Sequence, residues 1–390
     1  MAKKDVIGVG VIGTGFARTT QIPAFRACEG ARVVAIASGH VENAEAAARE
    51  FDIPFVGRDW REVVWRPEVD LVCITTPPVT HCDMTFAAFK SRKAVLCEKP
   101  MMMSQGESAS VARVAKHGRV LALVDHELRF VPARQRMREL IASGEIGRVW
   151  HAKVTFRADS RAASDRAWDW WSDAKSGGGV LGAIGSHAVD ALHWLTGAEF
   201  DTVSARLSTH VAKRPDGRAG KMRVVTSDDE ANLLLTFKRG GRVASGATAT
   251  LSLSMVEAGE PVHRVEVFGE RGALKVEGLK LWRAGVGGGR WESVEVEPAP
   301  LADGMRDGEW SRGFTVFSQK IIDALRDGKT RVEGAATFND GHLTQLVLDA
   351  ARRSSESGCE VGTDKNQPSK SSTARSGRRR EVGMDEYQGW

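Results

Sequence analysis

Along the first hundred residues, short apolar runs alternate with amphipathic stretches. Val6, Ile7, Val9, Val11 and Ile12 form a β-branched run broken only by glycines. It is too short for a helix and ends in a glycine turn, the pattern of a parallel strand buried on both faces. Ala31–Ala37, residues 55–56, residues 69–75 and Ala94–Cys97 repeat it. Between them, residues 24–30, the alanine-rich residues 42–51, Trp60–Val64 and residues 83–90 carry helical spacing. Repeated strand–helix–strand units predict an α/β fold with a Rossmann-type parallel-sheet domain over residues 1–126.

The pattern then changes. Pro132–Ser143 reads as an amphipathic helix closed by Gly144, and Val149–Arg157 as a strand. From Thr202 onward the period is two, over residues 203–208, 231–237, 242–253, 263–268 and 273–276, with glycine turns such as Arg239-Gly240-Gly241 and Glu270-Arg271-Gly272. With no helices between them, these strands are expected to pair antiparallel. The expected second domain is α+β over residues 127–358, a large, mostly antiparallel open sheet with helices 310–326 and 339–355 on one face. Residues 359–390 offer little to bury and are expected to be a disordered basic tail.

Composition narrows the function classes. A chain of 390 residues exceeds what one core usually serves, and 42% hydrophobic with 27% charged residues is ordinary for a soluble protein. No apolar run has the roughly 18 residues needed to span a bilayer, and the N-terminus enters a strand rather than a signal peptide, so a cytoplasmic location is expected. Much of the net charge of +5 comes from Lys365, Lys370, Arg375, Arg378, Arg379 and Arg380. A solvated tail explains it without nucleic acid or membrane. Five cysteines, odd in number and without a C-x-x-C pair, argue against a disulfide frame and a zinc site. Cys73 and Cys97, inside apolar runs, read as small buried hydrophobes.

The first strand delivers Gly13-Thr14-Gly15-Phe16-Ala17 to a helix start. Bare N–H groups and the positive end of a helix dipole there cradle phosphate. Gly13 permits the tight turn, and Gly15 lets a pyrophosphate approach without meeting a Cβ. The third small residue of the usual fingerprint is replaced by Arg18, with Ala17 one place early. A GxG after a strand also occurs in proteins that bind no nucleotide.

The second strand ends in Ser38-Gly39-His40, where such folds place the selector for the adenosine ribose, and no acid appears before Glu42. An Asp or Glu would repel a 2′-phosphate, whereas a Ser-Gly pair hydrogen-bonds one. The cofactor expected is NADP or NAD, with NADP favoured. Two further strands end at the same rim with Thr76-Pro77-Pro78-Val79-Thr80-His81 and Glu98-Lys99-Pro100.

These motifs, with Arg129-Phe130-x-Pro132, Gly177–Gly179 and Gly185-x-His187-x-x-Asp190, resemble the glucose–fructose oxidoreductase, inositol dehydrogenase and rhizopine catabolism family (Gfo/Idh/MocA) from Val6 to about Gly358. The resemblance implies an NAD(P)-dependent dehydrogenase or reductase acting on CH–OH groups of a sugar, polyol or related compound, its cofactor in some cases tightly bound. Lys99 and His187 would flank the reacting oxygen. Thr76, Pro77, His81, Glu98, Lys99, Arg129 and Trp170 would join Gly13, Gly15, Phe16, Ala17, Ser38, Gly39 and His40 around the cofactor. The chemistry is coherent by itself, because hydride transfer from an alcohol needs a base for the hydroxyl proton and a cation for the developing alkoxide.

A surface lysine after a strand and a satisfied core histidine remain the plain alternatives for Lys99 and His187. Trp170, in the run Trp168-Asp169-Trp170-Trp171, stacks on a ligand or packs between domains.

One departure bears on mechanism. Members of this family commonly carry an acid four residues before the histidine, and here Ala183 stands there. Asp190, three residues beyond His187, is a partner on one helix face or a structural carboxylate. Two other readings are an NAD-dependent glycosidase working by transient oxidation and a non-catalytic nucleotide-binding regulator. The resemblance also implies a homodimer or homotetramer through the second sheet.

Overall fold

A computed structural model describes residues 4–217 and 220–363. The chain opens with β1 (Ile7–Ile12), α1 (Ile22–Ala27), β2 (Ala31–Ala37), α2 (Val41–Phe51), β3 (Phe55–Gly57), α3 (Trp60–Val64), β4 (Leu71–Ile74), α4 (His81–Lys90), β5 (Ala94–Cys97), α5 (Gln105–His117) and β6 (Ala122–Val124). Strands β1 to β6 pair in parallel in the order β6-β5-β4-β1-β2-β3. Their apolar residues face helices on both sides, and β1, β4 and β5 are buried along their whole length. This is the doubly wound Rossmann-like sheet, whose chain reversal between β1 and β4 opens a crevice at the strands' carboxyl ends. Helix α5, opened by a Ser104 N-cap, is polar along much of its length, so its period does not stand out in the sequence.

The second region runs through α6 (Pro132–Ser143), β7 (Val149–Arg157), α7 (Ser186–Thr196), β8 (Phe200–Ser208), the hairpin β9 (Lys213–Pro215) and β10 (Met222–Val224), β11 (Glu230–Phe237), β12 (Val243–Ser254), β13 (Val262–Gly269), β14 (Gly272–Glu277), β15 (Lys280–Gly285), β16 (Glu292–Val294), α8 (Glu309–Arg326), β17 (Ala336–Thr337), α9 (Phe338–Ser357) and β18 (Val361–Gly362). Nine of these strands form one sheet in the order β16-β15-β14-β13-β7-β12-β11-β8-β18. It is mostly antiparallel, with one exception: β12 and β7 run parallel. The long excursion from β7 through α7 to β12 returns the chain in the same direction, as any crossover connection must.

Three packing features depart from a linear reading. Helix α8 returns to the first core, where Phe314 and Phe317 meet Phe25 and Phe130, and Phe130 and Phe317 stack at 4.4 Å. Each such buried ring contributes about 1.5–3 kcal/mol. Strand β17 adds an antiparallel edge to the first sheet beside β6, so packing does not divide cleanly at residue 126. Strand β18 extends the second sheet beyond residue 358, and the Thr363 hydroxyl donates to the Phe200 carbonyl at 2.6 Å. The expected tail from residue 364 lies outside the described residues.

Cys73 and Cys97 are fully buried, and burial pushes both thiols well above their ordinary range. Among the described residues, no helix is long and apolar enough to cross a membrane.

Candidate active site

The turn after β1 has two glycines with different tasks. Gly13 adopts φ +106°, and a Cβ on it would fall 2.4 Å from the Thr75 carbonyl oxygen, so only glycine lets β1 end against β4. Gly15 is exposed, and a Cβ there would meet nothing within 4 Å. Open space before a helical turn with no side-chain cap is the cradle a pyrophosphate requires, so these residues fit a dinucleotide. That turn, Ala17–Gln21, is a π-turn, a form concentrated at functional sites. Ala17 is fully buried, and Phe16 is held edge-on against Phe314 at 6.3 Å.

The Ser38 and Thr14 hydroxyls lie 3.4 Å apart, and Ser38 Oγ accepts from the His40 N–H at 3.3 Å. Gly39 and His40 are exposed beside them. Arg18 pairs with Glu50 at 2.6 Å, near the far end of α2 from His40.

Thr76 and Pro77 line the loop after β4, with the Thr80 hydroxyl donating to Thr76 Oγ1 at 2.7 Å. His81 lies behind that loop. Its ring is fully buried, with Nε2 2.8 Å from the Thr76 carbonyl and Nδ1 3.1 Å from the Met101 carbonyl. Both nitrogens are engaged by backbone, so His81 ties the loop after β4 to the one after β5 instead of offering a nitrogen to a cofactor. The second region closes over the same loop: a Cβ on Gly177 would lie 2.6 Å from Pro78. This contact brings the segment carrying Trp170 to the rim, where Trp170 is 37% exposed and its ring centroid lies 5.8 Å from that of Trp171.

Lys99 leaves the end of β5 and donates from Nζ to the Ala183 carbonyl at 3.1 Å. Ala183 belongs to a second π-turn, Leu181–Gly185, that runs directly into α7, and His187 follows one turn later. The amine and the imidazole are thereby brought together across the two regions. His187 is 2% exposed, and its Nε2 has no hydrogen-bond partner among the described residues. Its Nδ1 faces His126 Nδ1 at 3.4 Å, and Trp310 packs edge-on against its ring at 4.8 Å. Burial, then the nearby Lys99 and His126, push the His187 imidazole well below its ordinary range. Burial likewise takes His126 down to about 4. Both rings are neutral near pH 7.

Arg129 is buried, and two carboxylates engage it. The short 3-10 turn Glu127–Phe130 points it inward, where it grips Asp190 at 2.8 and 2.6 Å and reaches Asp340 at 3.3 Å. Both lone-pair edges of Asp190 are thus used by Arg129, and the carboxylate also lies 3.8 Å from His126 Nε2. Burial by itself would raise the Asp190 carboxyl, but Arg129 and then His126 hold it below its ordinary value. Asp190 is therefore a buried structural carboxylate that serves His126, not a direct partner of His187. A cavity of about 10 Å³, enough for one water, lies among His126, Arg129, His187 and Asp190.

Glu98 also faces inward. It is 8% exposed, and Gln21 Nε2 donates both to it at 3.1 Å and to Asp125 at 2.7 Å. Glu127 is buried close by; burial and then Glu98 push its carboxyl up to about 8. Burial and then Glu98 and Glu127 raise Asp125 well above the usual carboxylate range. On the other side of His187, Trp310 stacks on His263 at 5.4 Å. The Glu309 carboxylate accepts from His263 Nδ1 at 2.5 Å and from Arg134 at 3.3 Å.

Sequence reasoning passed over Gln21, Asp125, Glu127, Arg134, His263, Glu309 and Trp310. Only Asp125 and Glu127 carried a usable signal: two acids directly after an apolar strand and one residue either side of a histidine.

Residues 7–126 match the oxidoreductase family with an NAD-binding Rossmann fold, and residues 134–275 match the GFO/IDH/MocA C-terminal domain. An uncharacterized oxidoreductase from Synechocystis is 31% identical over 350 residues, covering 89% of this chain and 85% of the relative. Human glucose-fructose oxidoreductase domain-containing protein 2 is 32% identical over 375 residues, covering 91% and 93%. An oxidoreductase domain protein from Kribbella flavida superposes with a TM-score of 0.81 at 27% identity, over 93% of this chain and 100% of that one. A levoglucosan dehydrogenase solved with NADH and L-sorbose shares the fold, with a TM-score of 0.80 over 93% and 100% of the two chains, at 24% identity. With both halves matched in order, this chain belongs to the GFO/IDH/MocA family of NAD-binding oxidoreductases.

Proposed function

We propose that the protein oxidises a hydroxyl group of a sugar, polyol or related compound, or reduces the corresponding carbonyl, with Lys99 and His187 at the reacting oxygen. The observation that carries this reading is the 3.1 Å contact from Lys99 Nζ to Ala183, which sets an amine one turn from a buried histidine whose Nε2 has no partner among the described residues. When bound, the nicotinamide supplies the hydride acceptor. Gly13, Gly15, Phe16 and Ala17 would hold its pyrophosphate, with Thr76 and Pro77 towards the nicotinamide and Trp170 at the rim. The two amine protons that Lys99 does not spend on Ala183 stabilise negative charge growing on the substrate oxygen. His187 Nε2, bare in the neutral ring, accepts the hydroxyl proton. A ring held neutral suits the oxidation direction.

The uncharged Ser38-Gly39-His40 selector favours NADP, with NAD as the alternative. The exposed face of the second sheet is the surface through which we expect copies to associate.

The test is direct. Purified protein with NADP or NAD is offered a panel of sugars and polyols while absorbance of the reduced nicotinamide is followed. Growth of that band with a subset of the panel is expected, together with its loss in His187→Asn. Release of a free sugar without net reduced cofactor would favour the glycosidase reading. Tight cofactor binding with no turnover across the panel would overturn the proposal.

A further inference from the structure

We propose that His126 is the positioning residue of this site: it fixes the tautomer of His187 and takes over the task of the acid that Ala183 displaces. The inference rests on the proposed role of His187. It is argued from the order of groups along one buried chain of contacts: Arg129, Asp190, His126, His187.

Arg129 holds Asp190 from two nitrogens, so that carboxylate stays ionised in the interior. Asp190 Oδ1 lies 3.8 Å from His126 Nε2. That is too long for a hydrogen bond, but close enough for the negative charge to decide which ring nitrogen keeps the proton. A lone pair on Nε2 would face the carboxylate and be repelled, so His126 carries its proton on Nε2 and presents a bare Nδ1.

His126 Nδ1 faces His187 Nδ1 at 3.4 Å, with the rings nearly perpendicular at 83°. Two bare nitrogens do not attract each other. His187 must therefore donate from Nδ1, which leaves its proton-free Nε2 as the only lone pair of the ring. Nε2 is also the buried nitrogen with no partner among the described residues. The ring that needs a base on one side thus has its proton parked on the other.

Other charged groups near the pair are consistent with this order. Lys99, reaching in from β5, favours a lone pair toward itself over an N–H. Arg134 from α6 and His263 from β13 are held by Glu309 on α8, and Asp340 on α9 binds Arg129. Trp310 fixes the plane of the His187 ring. Ala183 itself contributes only its backbone carbonyl, which Lys99 uses.

The inference is tested first without any substitution. Full-length protein labelled with 15N-histidine is read by long-range 1H–15N correlation, which distinguishes protonated from bare ring nitrogens. The expected spectrum has His187 protonated on Nδ1 and bare on Nε2, and His126 protonated on Nε2. A His187 ring protonated on Nε2 overturns the proposal whatever the activity. If the tautomers are as stated while no alcohol is turned over, the positioning stands and the proposed function falls.

Kinetics supply the second test. His126→Phe keeps a ring and removes both nitrogens, and should lower kcat roughly 10–100-fold with the cofactor KM little changed. His126→Asn sets an acceptor oxygen where Nδ1 stood, and should recover most of the loss. Equal kcat in His126→Phe and the unaltered protein would overturn the proposal, as would an Asn variant no better than the Phe one.

Discussion

Lys99 Nζ and the Ala183 carbonyl oxygen are 3.1 Å apart, and this one hydrogen bond joins the end of β5 to the π-turn ahead of His187. The backbone at position 183 anchors the lysine, and on our proposal the tautomer of His187 is set by His126.

Replacing Lys99 with methionine keeps the length of the side chain and removes the charge. We expect Lys99→Met to lower kcat by about 10²–10³-fold, the usual effect of losing one donor to a developing oxyanion. Cofactor affinity, measured by fluorescence titration of reduced nicotinamide, should change little. Unchanged turnover would remove Lys99 from the reacting oxygen.

The two glycines of the first turn should fail in different ways. Gly13→Ala forces a Cβ against Thr75 in a left-handed backbone, so the apo protein should lose about 1–3 kcal/mol in urea unfolding. Gly15→Val sets its Cβ in open space and should leave the apo melt nearly unchanged while weakening dinucleotide binding roughly tenfold or more. Equal binding by Gly15→Val and the unaltered chain would mean that phosphate does not approach there.

Stability should decline on both sides of a middle pH. His126 is buried and His193 half-buried, and both pKa values are lowered to about 4, chiefly by loss of solvent around the rings. Unfolded histidine takes up its proton near 6.5, so unfolding binds protons between those values. Stability then falls as pH drops through that window, by about 3 kcal/mol for each ring. Glu127 acts in the opposite sense. Its folded pKa is raised to about 8 by burial and then Glu98, so unfolding releases a proton as pH rises from 4.5 towards 8, and stability falls with it. Calorimetric melts should therefore show Glu127→Gln melting higher than the unaltered chain at pH 8, with little difference at pH 4.5.

Arg129 should matter for folding more than for cofactor binding. Arg129→Met leaves Asp190 charged and uncompensated in the interior, which costs about 3–5 kcal/mol. Pairing it with Asp190→Asn should recover part of that loss, and a double-mutant cycle by urea unfolding measures how much. A cycle with no coupling would mean that the two groups do not act as a unit.

The period of the apolar residues by itself determined the main parallel strands, the main antiparallel ladder and most helices around them, though not the polar α5, because burial on one face or two writes a pattern into neighbouring positions. The turn glycines and the Glu98-Lys99-Pro100 rim were equally local. Tertiary structure decided what those groups touch. Arg129 and Asp190 are 61 positions apart, as are His126 and His187, and Lys99 and Ala183 are 84 apart. No spacing along the chain reports such a meeting. The same holds for the parallel pairing of β7 with β12 and for the return of α8 to the first core, since both depend on how an excursion closes. Most of all, burial turned Arg129, Glu98 and His81 inward. Charged and hydrogen-bonding side chains record in sequence that they need a partner, while the partner's identity exists only once the chain has folded.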